Sequence, residues 1–94
     1  MEQISPWCLY IVRCSDNSLY TGITTDINRR LNEHNSGIGS KYTRSRLPVE
    51  LVYTNWYINR SVASKSEAAI KKLTKAKKEE LIAESDQLSF WKDE

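Results

Sequence analysis

Three consecutive segments decide the fold: Trp7-Cys8-Leu9-Tyr10-Ile11-Val12, then Ser15-Asp16-Asn17-Ser18, then Leu19-Tyr20-Thr21-Gly22-Ile23. The first is apolar throughout and rich in β-formers, as a strand covered on both faces should be. The second is turn chemistry, because short polar side chains bond their own backbone there. The third is a second strand, so the three read as a hairpin.

A helix follows the hairpin. Thr25 or Asp26 can cap it, Ile27 and Leu31 give it an apolar stripe, and Gly37 can stop it. Ser36 to Ser40 reads as a flexible loop. Lys41 to Arg46 reads as a short helical turn, bounded by Pro48. Val49 to Tyr57 is the third strand. Asn59 or Ser61 can cap a second long helix, with Val62, Ser66, Ala69, Ile70 and Leu73 as its expected buried face. Thr74 restarts the chain as a third helix, with Leu81 and Ile82 inward. The order ββαβαα predicts an α+β domain, a three-stranded antiparallel sheet flanked by helices.

The chain has 94 residues, 39% hydrophobic and 28% charged, which fits one small globular domain. We expect that domain at residues 1–84, with 85–94 as a tail in which Phe90 and Trp91 either dock or fray. The longest apolar stretch, Trp7 to Val12, is far short of the roughly 20 residues of a membrane span. The start, Met1-Glu2-Gln3-Ile4-Ser5-Pro6, has no secretory pattern, so the expected compartment is the cytoplasm. Cys8 and Cys14 lie near the ends of one strand, about 20 Å apart, and are expected to be buried thiols, neither bridged to each other nor part of a zinc site.

Net charge is only +2, too little to argue for a polyanionic partner. The distribution says more. Lys71, Lys72, Lys75, Lys77 and Lys78 crowd one region, and Lys41, Arg44 and Arg46 another. Such clusters are either solvated helix faces or phosphate contacts.

Cys8-Leu9-Tyr10, Tyr20-Thr21-Gly22, Arg30, His34 and Glu67, in that order and spacing, resemble the signature of the GIY-YIG nucleases. The likeness spans about Trp7 to Ile82. The segment from Lys41 to Tyr53 is similar to the small, single-domain YhbQ-like bacterial branch. Cys8 stands where the family has glycine, Leu9 where it has isoleucine, and Thr21 fills the middle of the second motif. No asparagine follows Asn59, where the family often has one.

The resemblance implies a metal-dependent endonuclease that hydrolyses phosphodiester bonds in DNA. It gives Arg30 the scissile phosphate and Glu67 the metal, Mg2+ or Mn2+. It puts Tyr10 and Tyr20 in the site, with Tyr10 the better candidate for activating water, and leaves His34 to position or protonate. The chemistry suits these residue types. Hydrolysis builds negative charge on the equatorial oxygens, and a guanidinium offers permanent charge in a planar fork. Magnesium keeps most of its waters, so one carboxylate is enough to hold it. A phenol with pKa near 10 is a poor base unless cations lower it, and Arg30 and the metal are expected to do so. Arg30 and His34 are four apart and share a helix face, flanked by Ile27 and Leu31, so both are expected at the core's edge.

A shared tyrosine site also constrains the hairpin. A two-residue turn at Asp16-Asn17 puts Tyr10 and Tyr20 on opposite faces. A three-residue loop, Ser15-Asp16-Asn17, pairs Tyr10 with Gly22 and Val12 with Tyr20, and puts both tyrosines on one face. That loop wants a left-handed residue last, and Asn17 tolerates it.

Lys41, Arg44, Arg46, Lys71, Lys72 and Lys75 are the expected phosphate contacts, which position a substrate but read no sequence. Tyr42 is either a base-stacking or a core residue. DNA is the expected partner and RNA stays open. No membrane association and no obligate protein partner are indicated. Cleavage is expected to be weakly sequence-specific or structure-selective, in repair or recombination. Each residue also has an ordinary reading. The tyrosines would pack, Gly22 would relieve crowding, Arg30 would pair with Asp26, Glu67 with Lys71, and His34 would bond structurally. The rival class is a non-catalytic nucleic-acid-binding module on the same fold. A third reading, a structural partner docking through Phe90 and Trp91, has no other support.

Overall fold

The computed structural model describes the backbone of residues 5–92 and the side chains of residues 5–85. Strands β1 (Trp7–Arg13), β2 (Leu19–Thr24) and β3 (Glu50–Tyr57) form one antiparallel sheet in the order β2-β1-β3. Helices α1 (Ile27–Asn35), the short α2 (Lys41–Arg44), α3 (Arg60–Lys71) and α4 (Lys75–Lys92) complete it. Among the described residues, no helix is long and apolar enough to cross a membrane. The side chains of Phe90 and Trp91 lie outside the described residues.

The middle position of β1 explains its composition. Cys8 to Val12 are all buried, since both neighbours and both faces are covered. Side chains alternate across the sheet. Cys8, Tyr10, Val12 and Cys14 point to one face, where Ile27 and Leu31 of α1 pack with Leu47, Val49 and Leu51. Leu9 and Ile11 point to the other, against α3, whose Ala63 is fully buried. Both cysteines are free and buried, as expected.

The hairpin takes the expected register. Tyr10 lies opposite Gly22 and Val12 opposite Tyr20. The loop is Ser15-Asp16-Asn17, with Asn17 left-handed at φ 68 and a Cys14–Ser18 backbone bond of 2.8 Å closing it. On the other side of β1, Ile11 faces Tyr53 but Val12 faces Leu51, so Val52 is an extra residue, a bulge in β3.

Capping fixes the helix ends. Asp26, not Thr25, caps α1 by accepting from the Arg29 amide, and Asn59, not Ser61, caps α3. At the far end of α1, Ile38 N donates to Glu33 O and Gly37 N to His34 O, each at 3.0 Å, with Gly37 at φ 83. This is a Schellman ending, which needs a left-handed residue where Gly37 stands. Asn35 then clamps α1 to the start of β3, donating to Val49 O (3.1 Å) and accepting from Val49 N (2.8 Å).

Two expectations are corrected. The buried stripe of α3 is Ala63, Ser66, Glu67 and Ile70, while Val62, Ala69 and Leu73 are exposed. Small Ala63 lets the helix lie close to the sheet, and this rotates the apolar-looking positions outward. The Ser36–Ser40 loop is held rather than free: the Gly39 carbonyl accepts from Arg30 and Ser40 caps α2.

Candidate active site

The site grows from the face of β1 that carries Tyr10. Tyr10 is only 1% exposed, and its ring lies across the edge strand at Gly22. A Cβ at Gly22 would come within 2.5 Å of Tyr10 Oη and 2.7 Å of Cζ, so glycine is there for space.

The Tyr10 hydroxyl meets two side chains of α1. It is 2.8 Å from His34 Nε2, and Arg30 Nε donates to it at 3.4 Å. Arg30 is held from three directions, because Nη2 also donates to Gly39 O (2.7 Å) and Nη1 pairs with Glu33 (3.1 Å). Its partner is Glu33 and not Asp26. Three of its five N–H groups are used in this way, and the guanidinium remains partly exposed, so charge and donors are left for an anion.

His34 departs from expectation, for it is fully buried and not at the core's edge. The inward positions of α1 are Ile27, Arg30, Leu31 and His34, at helical spacing, so the histidine lies on the buried stripe itself. Its Nδ1 is 2.8 Å from Thr43 Oγ1, which is 2.9 Å from Ser40 Oγ. Burial first, then the nearby Arg30 charge, hold His34 below its ordinary pKa, so the ring is neutral at neutral pH. Gly39 packs directly on this ring. Thr43, Ser40 and Gly39 were not among the expected site residues. The signal available for them was a serine three residues before a threonine at a helical turn, which reports a cap and not a contact with His34.

Tyr20 joins on the same face. Its ring meets His34 edge-on at 5.5 Å and stacks with Tyr42 at 5.9 Å, while the Arg46 guanidinium sits 3.9 Å over the Tyr42 ring. Arg46 also bridges Asp16 at 3.0 Å, tying α2 to the hairpin loop.

Glu67 faces inward on α3, close enough for its charge to raise the Tyr10 pKa. It also pairs with Lys71 at 3.4 Å. Arg30 pulls the Tyr10 phenol down as expected, but not enough by itself to bring it below its ordinary value. Burial pushes it up, and this outweighs the Arg30 hydrogen bond and charge, while Tyr20 and Glu67 push it further. Of the expected phosphate contacts, Arg46, Lys71 and Lys75 hold ion pairs. Lys41, Arg44 and Lys72 form none among the described residues.

Among the described residues, no three His, Cys, Asp or Glu groups cluster, which does not suit zinc. A lone, partly exposed carboxylate suits magnesium or manganese, which hold their remaining positions with water.

A buried tyrosine on the central strand, a fixed arginine and a neutral histidine on α1, and an inward glutamate on α3 define a recognisable class. The chain matches the GIY-YIG catalytic domain over residues 6–80 and belongs to that nuclease family. Its relatives are UPF0213 proteins. It is 51% identical over 81 residues to one from Haloquadratum walsbyi, covering 86% of this chain and 91% of that one. It is 47% identical over 81 residues to the UPF0213 protein YhbQ of Escherichia coli O127:H6, covering 86% and 81%. The solution NMR structure of a protein from E. faecalis superposes with a TM-score of 0.61 at 44% identity, covering 93% of each chain. That of a UPF0213 protein from Bacillus halodurans gives 0.55 at 44% identity, covering 83% of each.

Proposed function

We propose that this chain is an endonuclease that hydrolyses DNA phosphodiester bonds, with residues 1–84 as the catalytic unit. The observation that carries the reading is the Tyr10 hydroxyl held between Arg30 Nε at 3.4 Å and His34 Nε2 at 2.8 Å, within reach of the Glu67 charge. A binding module needs no such arrangement.

Arg30 grips the scissile phosphate with its free N–H groups and offsets charge as the equatorial oxygens become more negative. Tyr10 takes a proton from the attacking water. Its raised pKa means that it is not a phenolate at rest, so its own proton must leave as it acts, and His34 Nε2 is the adjacent base. Tyr20 packs on the His34 ring and lines the site. Glu67 would hold Mg2+ or Mn2+, which supplies charge for the leaving oxygen when bound. Lys41, Arg44 and Lys72, which hold no ion pair among the described residues, are the cations freest to grip the DNA backbone, and such a grip gives weak sequence preference and steep salt dependence. A substrate defined by shape, as in repair or recombination, fits that grip.

The test incubates labelled single-stranded, duplex and branched DNA with magnesium, manganese or EDTA, beside Arg30→Ala and Glu67→Ala. Metal-dependent cutting is expected, falling at least about 100-fold in each variant while DNA retention persists. Retention without cutting by the wild type in any metal would instead favour the binding module.

A further inference from the structure

Building on the nuclease reading, we propose that Thr43 is a positioning residue that holds His34 in the Nδ1–H tautomer, leaving Nε2 as acceptor for the Tyr10 proton. The assignment follows from counting donors and acceptors. Both ring nitrogens are engaged, Nε2 with Tyr10 Oη at 2.8 Å and Nδ1 with Thr43 Oγ1 at 2.8 Å. A neutral imidazole has one donor and one acceptor nitrogen, so the two contacts must run in opposite directions.

Tyr10 Oη already accepts from Arg30 Nε. Its own proton needs an acceptor, and His34 Nε2 is the one in reach among the described residues. Nδ1 must then carry the hydrogen and donate it to Thr43 Oγ1. The Thr43 hydroxyl can pass its own hydrogen to Ser40 Oγ at 2.9 Å or to the Ser40 carbonyl at 3.4 Å. Ser40 Oγ in turn accepts from the Thr43 amide at 3.1 Å, which fixes the pair as part of the α2 cap. From Arg30 through Tyr10 and His34 to Thr43, each donated proton has an acceptor. The opposite tautomer makes Nε2 a donor and strands the proton of a buried Tyr10 hydroxyl.

The arrangement has a chemical use. As Tyr10 Oη takes a proton from water, its own proton moves to Nε2. The hydroxide forms the new P–O bond, and the leaving sugar oxygen departs with its electron pair and is protonated from solvent. The imidazolium keeps its Nδ1–H bond to Thr43 and returns its added proton to solvent through Tyr10. Thr43 therefore acts on the reaction through His34, as the third member that orients a base.

His34 is the chain's only histidine, so its ring nitrogens give one unambiguous set of 15N signals in untagged protein. The wild type is expected to show the Nδ1–H tautomer. An Nε2–H wild type overturns the proposal. Thr43→Val is expected to shift the ring towards Nε2–H and to cut cleavage by about 10- to 100-fold at unchanged DNA retention, the size of loss seen when a metal-bound histidine loses its outer partner. Thr43→Ser should restore both. Wild-type ring signals together with wild-type cleavage in Thr43→Val also overturn it. If Thr43→Val does not fold, the wild-type and Thr43→Ser spectra still decide the tautomer. An Nδ1–H wild type that cuts no DNA would keep the tautomer assignment and sink the nuclease reading.

Discussion

Gly22 and Thr21 sit side by side on β2 and face opposite ways, and each makes a separate prediction. Any side chain at Gly22 collides with the Tyr10 phenol. Gly22→Ala should therefore push Tyr10 off His34, cost about 1–3 kcal/mol of stability and reduce cleavage. A chemical melt beside a cleavage assay checks both, and an unchanged rate would mean that Tyr10 need not stay in place. Thr21 is 3% exposed, and its hydroxyl has no partner among the described residues. Thr21→Val keeps the shape and removes the stranded group, so it should raise stability by about 1 kcal/mol without touching the site. A destabilised Thr21→Val would show that the hydroxyl is satisfied in solution.

His34 ties stability to pH. Its folded pKa lies below the ordinary 6.5, so between the two values the unfolded chain binds a proton that the folded chain refuses. The stability that the neutral ring contributes is present above 6.5 and is lost as pH falls from there through the folded value. Urea unfolding should show a drop between about pH 7.5 and pH 5.5, at most about 1.4 kcal/mol per pH unit, that shrinks in His34→Gln. Equal drops in the two proteins would contradict this. The sequence made it legible that Arg30 and His34 share a face. It did not show that His34 is the buried member, because a polar residue seven places after Ile27 looks like an edge until a hydroxyl is known to meet each ring nitrogen.

At the scale of elements, parity made the hairpin readable. Requiring Tyr10 and Tyr20 on one face leaves the three-residue loop, and Asn17 takes the left-handed position that loop needs. The face of α3 was harder to read. Val62 and Leu73 are more apolar than Ala63 and Glu67, yet the helix turns its small and acidic residues to the sheet. Hydrophobicity ranks residues one at a time, whereas the rotation depends on how closely Ala63 lets the backbone approach and on the Glu67 side chain reaching the site. The inward face of α4 was legible, since Leu81 and Ile82 were expected inward and Ile82 is buried. The ion pair that helps to seat the helix was not, because it joins residues 66 apart in the chain. Arg13 Nη1 and Nη2 meet Glu79 Oε2 and Oε1, each at 2.7 Å, from β1 to α4. This two-bond pair stays partly exposed, so a double-mutant cycle of Arg13→Ala and Glu79→Ala should give a coupling of about 0.5–1 kcal/mol. No coupling would mean that Ile82 and its neighbours alone seat the helix.

At the scale of the whole molecule, two layers of helices serve one edge of the sheet. The α1 side brings Arg30 and His34 to Tyr10, and the α3 side brings Glu67 within range of the same hydroxyl. The family was legible because five residues keep its order across most of the chain. The positioning shell was not, since Gly39, Ser40 and Thr43 lie in a segment that reads as a loop and a turn until the chain folds over His34. In the proposed function the Tyr10 hydroxyl, and not merely its ring, does the chemistry. The most direct test is single-turnover DNA cleavage by the wild type and Tyr10→Phe, with DNA retention measured in the same tubes. The proposed function predicts a loss of at least about 100-fold in cleavage at unchanged retention. Equal cleavage by Tyr10→Phe would contradict it.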